Sequence, residues 1–231
     1  MDHKRLTLFA GHYGSGKTNI AVNYALLLAA EGKKVCIADL DIVNPYFRTK
    51  DSARELEAAG IDLISPQFAN SNVDLPALPA EAYRLVTDRQ TYGIMDIGGD
   101  DRGAYALGRY VPSILEENNY RMVFVANCYR PLTRTPEEAM EVMREIEDAC
   151  KLRFTDIINN SNLGPETTAE TVISSQAYME ALSKLSGLPI FATTAVAEVA
   201  KALPEPVISL QLQEKYFDLP SQKPGNRPLW G

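Results

Sequence analysis

Apolar residues fall along this chain in short unbroken runs, separated by stretches whose apolar positions recur at helical spacing. Leu6–Ala10 is one such run and ends in a glycine-bearing loop; Asn19–Ala30 has helical periodicity and closes before Gly32, a helix end. Val35–Ala38 reads as a second strand, Ser52–Ala59 as a helix closed by Gly60, and Ile61–Ile64 as another strand. The same alternation predicts strands at Tyr92–Ile97, Met122–Asn127, Asp156–Asn159 and Pro189–Thr193. It predicts helices at Glu81–Asp88, Tyr105–Glu116, Pro136–Lys151 and Thr168–Ser186. Runs that are apolar at every position signal strands buried on both faces, and helices between them imply parallel pairing through right-handed crossovers. The predicted fold class is therefore α/β: a doubly wound, mostly parallel sheet of about seven strands with helices on both faces.

One helix start is marked sharply. Thr135-Pro136-Glu137-Glu138 offers a hydroxyl at the cap, proline at the first helical position and glutamate three residues after the cap. Two regions break the rhythm. Ser65–Pro79 carries three prolines among Asn, Asp and Ser and reads as a long loop, either a surface connection or a carrier of function. Pro204–Gly231 holds five more prolines; after a candidate strand at Val207–Leu210 it should run extended. One domain over residues 1–204, with a proline-rich strand and tail over 205–231, accounts for the pattern.

Composition narrows the function classes. At 231 residues, 45% hydrophobic and 23% charged, the chain can bury a sizeable single core. A net charge of −7 repels nucleic acid at long range, so no nucleic-acid partner is expected. The longest apolar run, Tyr24–Ala30, has seven residues where a span needs about 20, so no membrane anchor is expected. The opening residues lack the apolar segment and cleavage site of a secretion signal. Three cysteines, Cys36, Cys128 and Cys150, are too sparse for a disulfide scaffold and form no Cys-x-x-Cys pair, which fits a reducing cytoplasm.

Candidate chemistry begins at the end of the first strand. Gly11-His12-Tyr13-Gly14-Ser15-Gly16-Lys17-Thr18 fits the pattern G-x-x-x-x-G-K-[ST]. A loop of this kind, following an apolar strand and opening a helix, points its backbone N–H groups and the helix's positive end at one anion site. In this reading Gly11, Gly14, Ser15 and Gly16 cradle the phosphates, and Lys17 places its charge on the β- and γ-phosphates. Thr18 is a ligand to Mg²⁺, and Asn19 is counted with the nucleotide-binding positions. A glycine-rich turn alone would explain the glycines but not the Lys-Thr pair.

A Mg²⁺-nucleotide site also needs carboxylates at the carboxyl ends of neighbouring strands. The second strand runs into Asp39-Leu40-Asp41, and the strand at Tyr92–Ile97 carries Asp96 followed by Gly98-Gly99. Asp96 sits where an aspartate can hold a metal-bound water, and Gly99 closes an Asp-x-x-Gly turn able to sense the γ-phosphate. Asp39 and Asp41 share side-chain parity; Asp39 is assigned to the metal's outer shell and Asp41 to orienting water.

In order and spacing, Gly11–Thr18, Asp39-Leu40-Asp41 and Asp96-Ile97-Gly98-Gly99 resemble the MinD/ParA group of P-loop ATPases. That group also includes cobyrinate-synthase-like amidoligases and relatives of the nitrogenase iron protein. The resemblance covers residues 5 to about 195 and implies ATP with Mg²⁺ as the bound pair. It implies that an asparagine at a later strand end reads the adenine; in Ile157-Ile158-Asn159-Asn160-Ser161 this position is Asn160. Dimerising members carry a second lysine just after the loop's first glycine, which crosses to the partner's nucleotide. His12 occupies that position here, so a homodimer and a monomer both stay open. No Cys-x-x-Cys exists to bridge a cluster between subunits, and prolines 220, 224 and 228 interrupt any terminal amphipathic helix. No Asn-Lys-x-Asp motif of the GTPase kind occurs, which favours ATP over GTP.

Three functions fit these features. The first is a slow ATPase that acts as a nucleotide switch read by an unidentified partner. The second is an ATP-dependent small-molecule kinase or amidoligase-like enzyme. Its acceptor pocket would be walled by Asn44–Arg48 and the loop at Ser65–Pro79, with Arg48, Arg102 and Arg130 as anion-holding candidates. The third is a nucleotide-dependent interaction or metalloenzyme-maturation module.

Overall fold

β1 (Leu6–Ala10) is buried at all five positions because it lies at the middle of the sheet and is covered on both faces. The computed structural model describes residues 2–40, 52–65, 80–98, 101–204 and 206–212. After β1 come α1 (Lys17–Ala30), β2 (Val35–Leu40), α2 (Ala53–Ala58), β3 (Asp62–Ile64), α3 (Arg84–Thr87) and β4 (Tyr92–Ile97). Then follow α4 (Asp101–Gly108), α5 (Val111–Glu117), β5 (Tyr120–Ala126), α6 (Pro136–Cys150) and β6 (Asp156–Asn159). The described chain closes with α7 (Ala169–Ser174), α8 (Gln176–Ser186), β7 (Ile190–Val196), α9 (Ala197–Ala200) and β8 (Val207–Leu210).

The eight strands form one sheet in the order β3-β2-β4-β1-β5-β6-β7-β8, and every pair is parallel. β4 lies between β1 and β2, while β5 to β8 extend the other side of β1, so the chain changes direction across the sheet at β1. Ligands of open parallel sheets bind at such a switch, outside the carboxyl ends of the strands.

Alternation along the strands divides the core. Leu6, Leu8 and Ala10 pack with Leu107, Ile114, Met143, Ile146 and Leu182 on the face covered by α4, α5, α6 and α8. Phe9 packs with Ile20, Tyr24 and Leu28 of α1 and Leu56 of α2 on the other. Helices therefore cover both faces, as predicted for a doubly wound α/β sheet.

Several predicted boundaries shift for local reasons. The sheet has eight strands, the candidate Val207–Leu210 supplying the last. The single helix expected over Tyr105–Glu116 is two, α4 and α5, because Pro112 lies in the first turn of α5 and has no N–H to donate back to Gly108. The helix expected over Thr168–Ser186 is also two. At Ser175 the backbone N–H turns to Val172 O (3.1 Å) and the hydroxyl bonds the same carbonyl at 2.6 Å. Glu81–Asp88 forms a 3-10 turn, Ala80–Tyr83, before α3. β2 continues to Leu40, so Asp39 lies within the strand rather than past its end. At Thr135 the capping box forms: Glu138 N–H donates to Thr135 Oγ1 (3.2 Å), and the glutamate accepts from Thr135 N–H (3.1 Å).

Candidate functional site

The turn from β1 into α1 is built around two close approaches. A Cβ on Gly11 would stand 2.8 Å from Val125 O of β5, so only glycine lets the chain leave β1 against its neighbour. Gly16 caps α1 at φ 92°, and a Cβ there would meet Asn160 Nδ2 at 2.2 Å. Between them His12 O accepts from Ser15 N–H at 3.1 Å, closing the loop. Lys17 opens the helix; it is buried and reaches back to His12 O at 3.3 Å. Thr18 is buried beside it, Gly14 lies at the exposed crest, and Asn19 is half-buried, its carbonyl accepting from Asn23 Nδ2 at 2.8 Å. The His12 ring donates through Nδ1 to Tyr13 O at 2.9 Å, while the Tyr13 ring is more than half exposed.

The carboxylates line up across the sheet. Phe9 of β1 is in register with Asp96 of β4, and Asp96 with Asp39 of β2. Ala38, Leu40, Met95 and Ile97 belong to the core on the opposite face, so both aspartates lie on the α1 face. Both are buried, on strands about 4.8 Å apart, next to the first turn of the helix that carries Lys17 and Thr18. A divalent cation could bridge such carboxylates, Thr18 and phosphate oxygens; Mg²⁺ needs only one or two protein carboxylates and keeps waters. The residues present fit that ion. Among the described residues no cluster of three His, Cys, Asp or Glu exists for a metal held by protein alone.

A polar belt follows the same edge toward β7. Asn160, just past β6, donates from Nδ2 to Ser15 O at 2.6 Å and accepts at Oδ1 from Thr194 Oγ1 at 2.6 Å. Ser161, buried, accepts from Cys128 N–H at 3.2 Å and so ties the end of β5 to the end of β6. Asn127 accepts at Oδ1 from Tyr129 N–H at 3.1 Å. Ser15 Oγ and Asn127 Nδ2 are buried and make no hydrogen bond among the described residues.

Gly11, Gly14, Ser15, Gly16, Lys17, Thr18, Asn19, Asp39, Asp96 and Asn160 thus all stand on one edge of the sheet around the start of α1. Asp41, Gly99 and Arg48 lie outside the described residues, as does most of the loop at Ser65–Pro79. Arg102 falls in α4 and Arg130 follows β5. Sequence reasoning missed Thr194, Ser161 and Asn127. Each is a common polar residue near a strand end, and only the pairing of β5, β6 and β7 brings them to the loop.

A glycine loop between a central strand and its helix, with a buried lysine and threonine at the helix start and buried aspartates on neighbouring strands, defines a P-loop nucleotide-binding protein. Residues 6–170 match the family CbiA, the CobQ/CobB/MinD/ParA nucleotide binding domain, and the chain belongs to that family. No curated protein matches the chain.

Among solved structures, the cell division protein FtsY of Thermotoga maritima is similar at a TM-score of 0.58 and 18% identity, over 82% of this chain and 61% of that one. The signal recognition particle receptor FtsY of Elizabethkingia anophelis gives 0.52 and 17%, over 84% and 59%. The 54 kDa signal recognition particle protein of Aeropyrum pernix K1, in complex with GDP, gives 0.52 and 17%, over 83% and 41%. The chain spans about three fifths or less of these proteins, and at such identities the likeness shows the fold.

Proposed function

We propose that this protein binds ATP with Mg²⁺ and hydrolyses it slowly, acting as a nucleotide switch that a partner reads. The observation that carries the reading is the register Phe9↔Asp96↔Asp39 beside the loop Gly11–Thr18, which sets buried carboxylates next to the phosphate cradle. In this reading the loop's N–H groups and the start of α1 bind the phosphates. Lys17 leaves the His12 carbonyl for the β- and γ-phosphate oxygens. Thr18 and Asp96 would hold Mg²⁺, with Asp39 in its outer shell; when bound, the ion neutralises phosphate charge as it builds on the leaving side. Asp41 orients the attacking water, and Gly99 senses the γ-phosphate through its N–H. In sequence Asp41 follows β2 directly and Gly99 follows β4 after Gly98; in this reading a γ-phosphate contacts both and its loss releases them.

Residues 1–204 form the nucleotide-binding domain in this proposal, and the setting is cytoplasmic. His12 stands where dimerising members of the family carry a second loop lysine, so the reading does not require the dimer built on that lysine.

Isothermal titration with ATP, ADP and Mg²⁺, followed by size-exclusion chromatography and phosphate release, tests the reading. The wild type should bind Mg-ATP and turn it over slowly. Lys17→Ala should weaken binding by about 100-fold, the loss of hydrogen bonds to a charged group. Asp41→Ala should keep binding and lose turnover. Wild-type protein that binds no nucleotide, or binds it without hydrolysis even with lysate added, sinks the switch.

A further inference from the structure

We propose that the turn at 127–130 after β5, together with Tyr178 of α8, is a binding site for the carboxylate of a small organic acid. The site goes beyond the nucleotide reading above and does not depend on it.

The turn is held from several sides. Arg130 N–H donates to Asn127 O at 3.1 Å, which brings the two Cα atoms within about 7 Å of each other. Asn127 Oδ1 accepts from Tyr129 N–H at 3.1 Å; only the amide oxygen can meet that N–H, so the orientation of the side chain is set. Thr133 Oγ1 donates to Asn127 O at 2.8 Å and closes the turn. Cys128 N–H donates to Ser161 Oγ at 3.2 Å and Tyr129 Oη to Thr171 O at 2.8 Å, which fasten it to the chain after β6 and to α7. Ala10 is in register with Phe124, and Gly11 approaches Val125 O closely, so the turn stands next to the phosphate loop.

Its donors lack acceptors. Asn127 is fully buried, yet its Nδ2 makes no hydrogen bond among the described residues, and neither does the buried Nε of half-buried Arg130. Tyr178 Oη is a third buried group without a partner. Tyr178 packs against the core, and its hydroxyl feels the charges of Cys128 and Glu138, so it faces the turn and the start of α6. Desolvation raises the phenol above its ordinary pKa, so it stays protonated and able to donate. Buried donors are costly to leave unmet, and three of them at one turn call for an acceptor with several lone pairs. Glu138 does not supply it, because its carboxylate is engaged by the N–H groups of Arg134 and Thr135 in the helix cap. A ligand carboxylate can take the arginine fork and the amide N–H together. Arg130 brings one positive charge and Glu138 stands close by, so a monoanion suits the turn better than the second charge of a phosphate.

The test is an NMR titration of the isotope-labelled full chain, without nucleotide and at constant ionic strength, with acetate, propionate and inorganic phosphate against a chloride baseline. Acetate and propionate should shift the Asn127 side-chain amide and the Arg130 Nε–H signals saturably, phosphate should bind more weakly, and chloride should shift neither. Arg130→Ala should weaken the acetate response at Asn127 by about 10- to 100-fold, and Tyr178→Phe by about 3- to 10-fold, the loss of a charged and of a neutral hydrogen bond. Tyr178→Phe should melt no lower than wild type, since its hydroxyl bonds nothing among the described residues. Signals that ignore both carboxylates, or move equally with chloride, overturn the inference, and phosphate binding more tightly than acetate overturns the choice of ligand. Unchanged acetate affinity in Arg130→Ala also overturns it; if that variant does not fold, unchanged affinity in Tyr178→Phe does so. Saturating Mg-ATP should leave acetate bound, whereas ATP that displaces it makes the turn part of the nucleotide site and overturns a separate one. Protein that binds acetate here but no nucleotide fails only the nucleotide reading, and nucleotide binding without a carboxylate response fails only this inference.

Discussion

The two ends of the sheet treat charge in opposite ways. At the amino end Arg5 is buried, and its guanidinium grips the Glu117 carboxylate through Nε and Nη2. Its Nη1 donates to Leu85 O at 2.9 Å, Thr91 O at 3.1 Å and Asp88 O at 3.3 Å. Nearby, Arg121 pairs with Asp156 at 3.2 Å and stacks on Phe191 at 4.2 Å. At the carboxyl end Lys17 rests on a backbone carbonyl, and two aspartates of the same sign stand in register. Buried Ser15 Oγ and Asn127 Nδ2 make no hydrogen bond among the described residues. One end carries buried ion pairs within the chain, while the other gathers the phosphate loop, the carboxylates and the polar belt. Stability and binding are thus separated along the strands of a single sheet.

The largest test of that separation is at the amino end. Arg5→Ala leaves the Glu117 carboxylate buried without its cation and should cost about 3–5 kcal/mol in denaturant unfolding. Nucleotide affinity of the remaining folded fraction should stay at the wild-type value. A matching loss of affinity in fully folded protein would show that the two ends are coupled. Charge removal at the carboxyl end should act on binding instead. Asp96→Asn alters a residue that the proposed function assigns to Mg²⁺ and should leave stability within about 1 kcal/mol of wild type. The same variant should weaken Mg²⁺-dependent nucleotide binding by about 10- to 100-fold. An Asp96→Asn protein destabilised as much as Arg5→Ala would show that this carboxylate holds the fold as Arg5 does.

A smaller contrast concerns cysteine chemistry. Cys36, in the middle of the amino half of β2, is buried and its thiol is pushed up to about 11, chiefly by desolvation. Cys150 is buried as well and its thiol is also raised by desolvation. Cys128, at the carboxyl end of β5, is only half-buried. Mass spectrometry after brief iodoacetamide treatment at pH 8 should find Cys128 modified first, since thiolate and access both govern the rate. Bound nucleotide should slow it if the loop after β5 borders the site.

How much of this was legible in the sequence depended on the range of the interaction. Leu6–Ala10 and Tyr92–Ile97 were readable as buried strands because burial on both faces leaves a mostly apolar run without polar alternation, interrupted only at Thr7 and Asp96. The loop Gly11–Thr18 was readable because steric demand and chemistry are both local. Where a break was set by one side chain, as at Ser175 or Pro112, periodicity ran through it and two helices read as one. The dual contact of Asn160 was not readable. The resemblance gave it a base to bind, but Ser15 and Thr194 lie 145 and 34 residues away and meet it only through strand order. The register of Asp39 with Asp96 was hidden for the same reason: β4 inserts between β1 and β2 although it comes later in the chain.

The cap of α6 gives the last and smallest test, because it is a stability device placed at the binding end. Thr135 follows the carboxyl end of β5, yet its bonds are all local: its hydroxyl accepts from Glu138 N–H, and the glutamate accepts in return from the N–H groups of Thr135 and Arg134. Removing the hydroxyl orphans one helical N–H at an exposed position, where water replaces part of the bond. Thr135→Ala should therefore cost about 1 kcal/mol, or about 2–4 °C in melting temperature, and Thr135→Ser should recover most of it. Nucleotide affinity should not change, since the cap's own hydrogen bonds stay within the first turn of α6 and the residue before it. If affinity falls with the cap intact in the serine variant but lost in the alanine one, the start of α6 belongs to the site. The division would then lie between local and long-range contacts rather than between the two ends of the sheet.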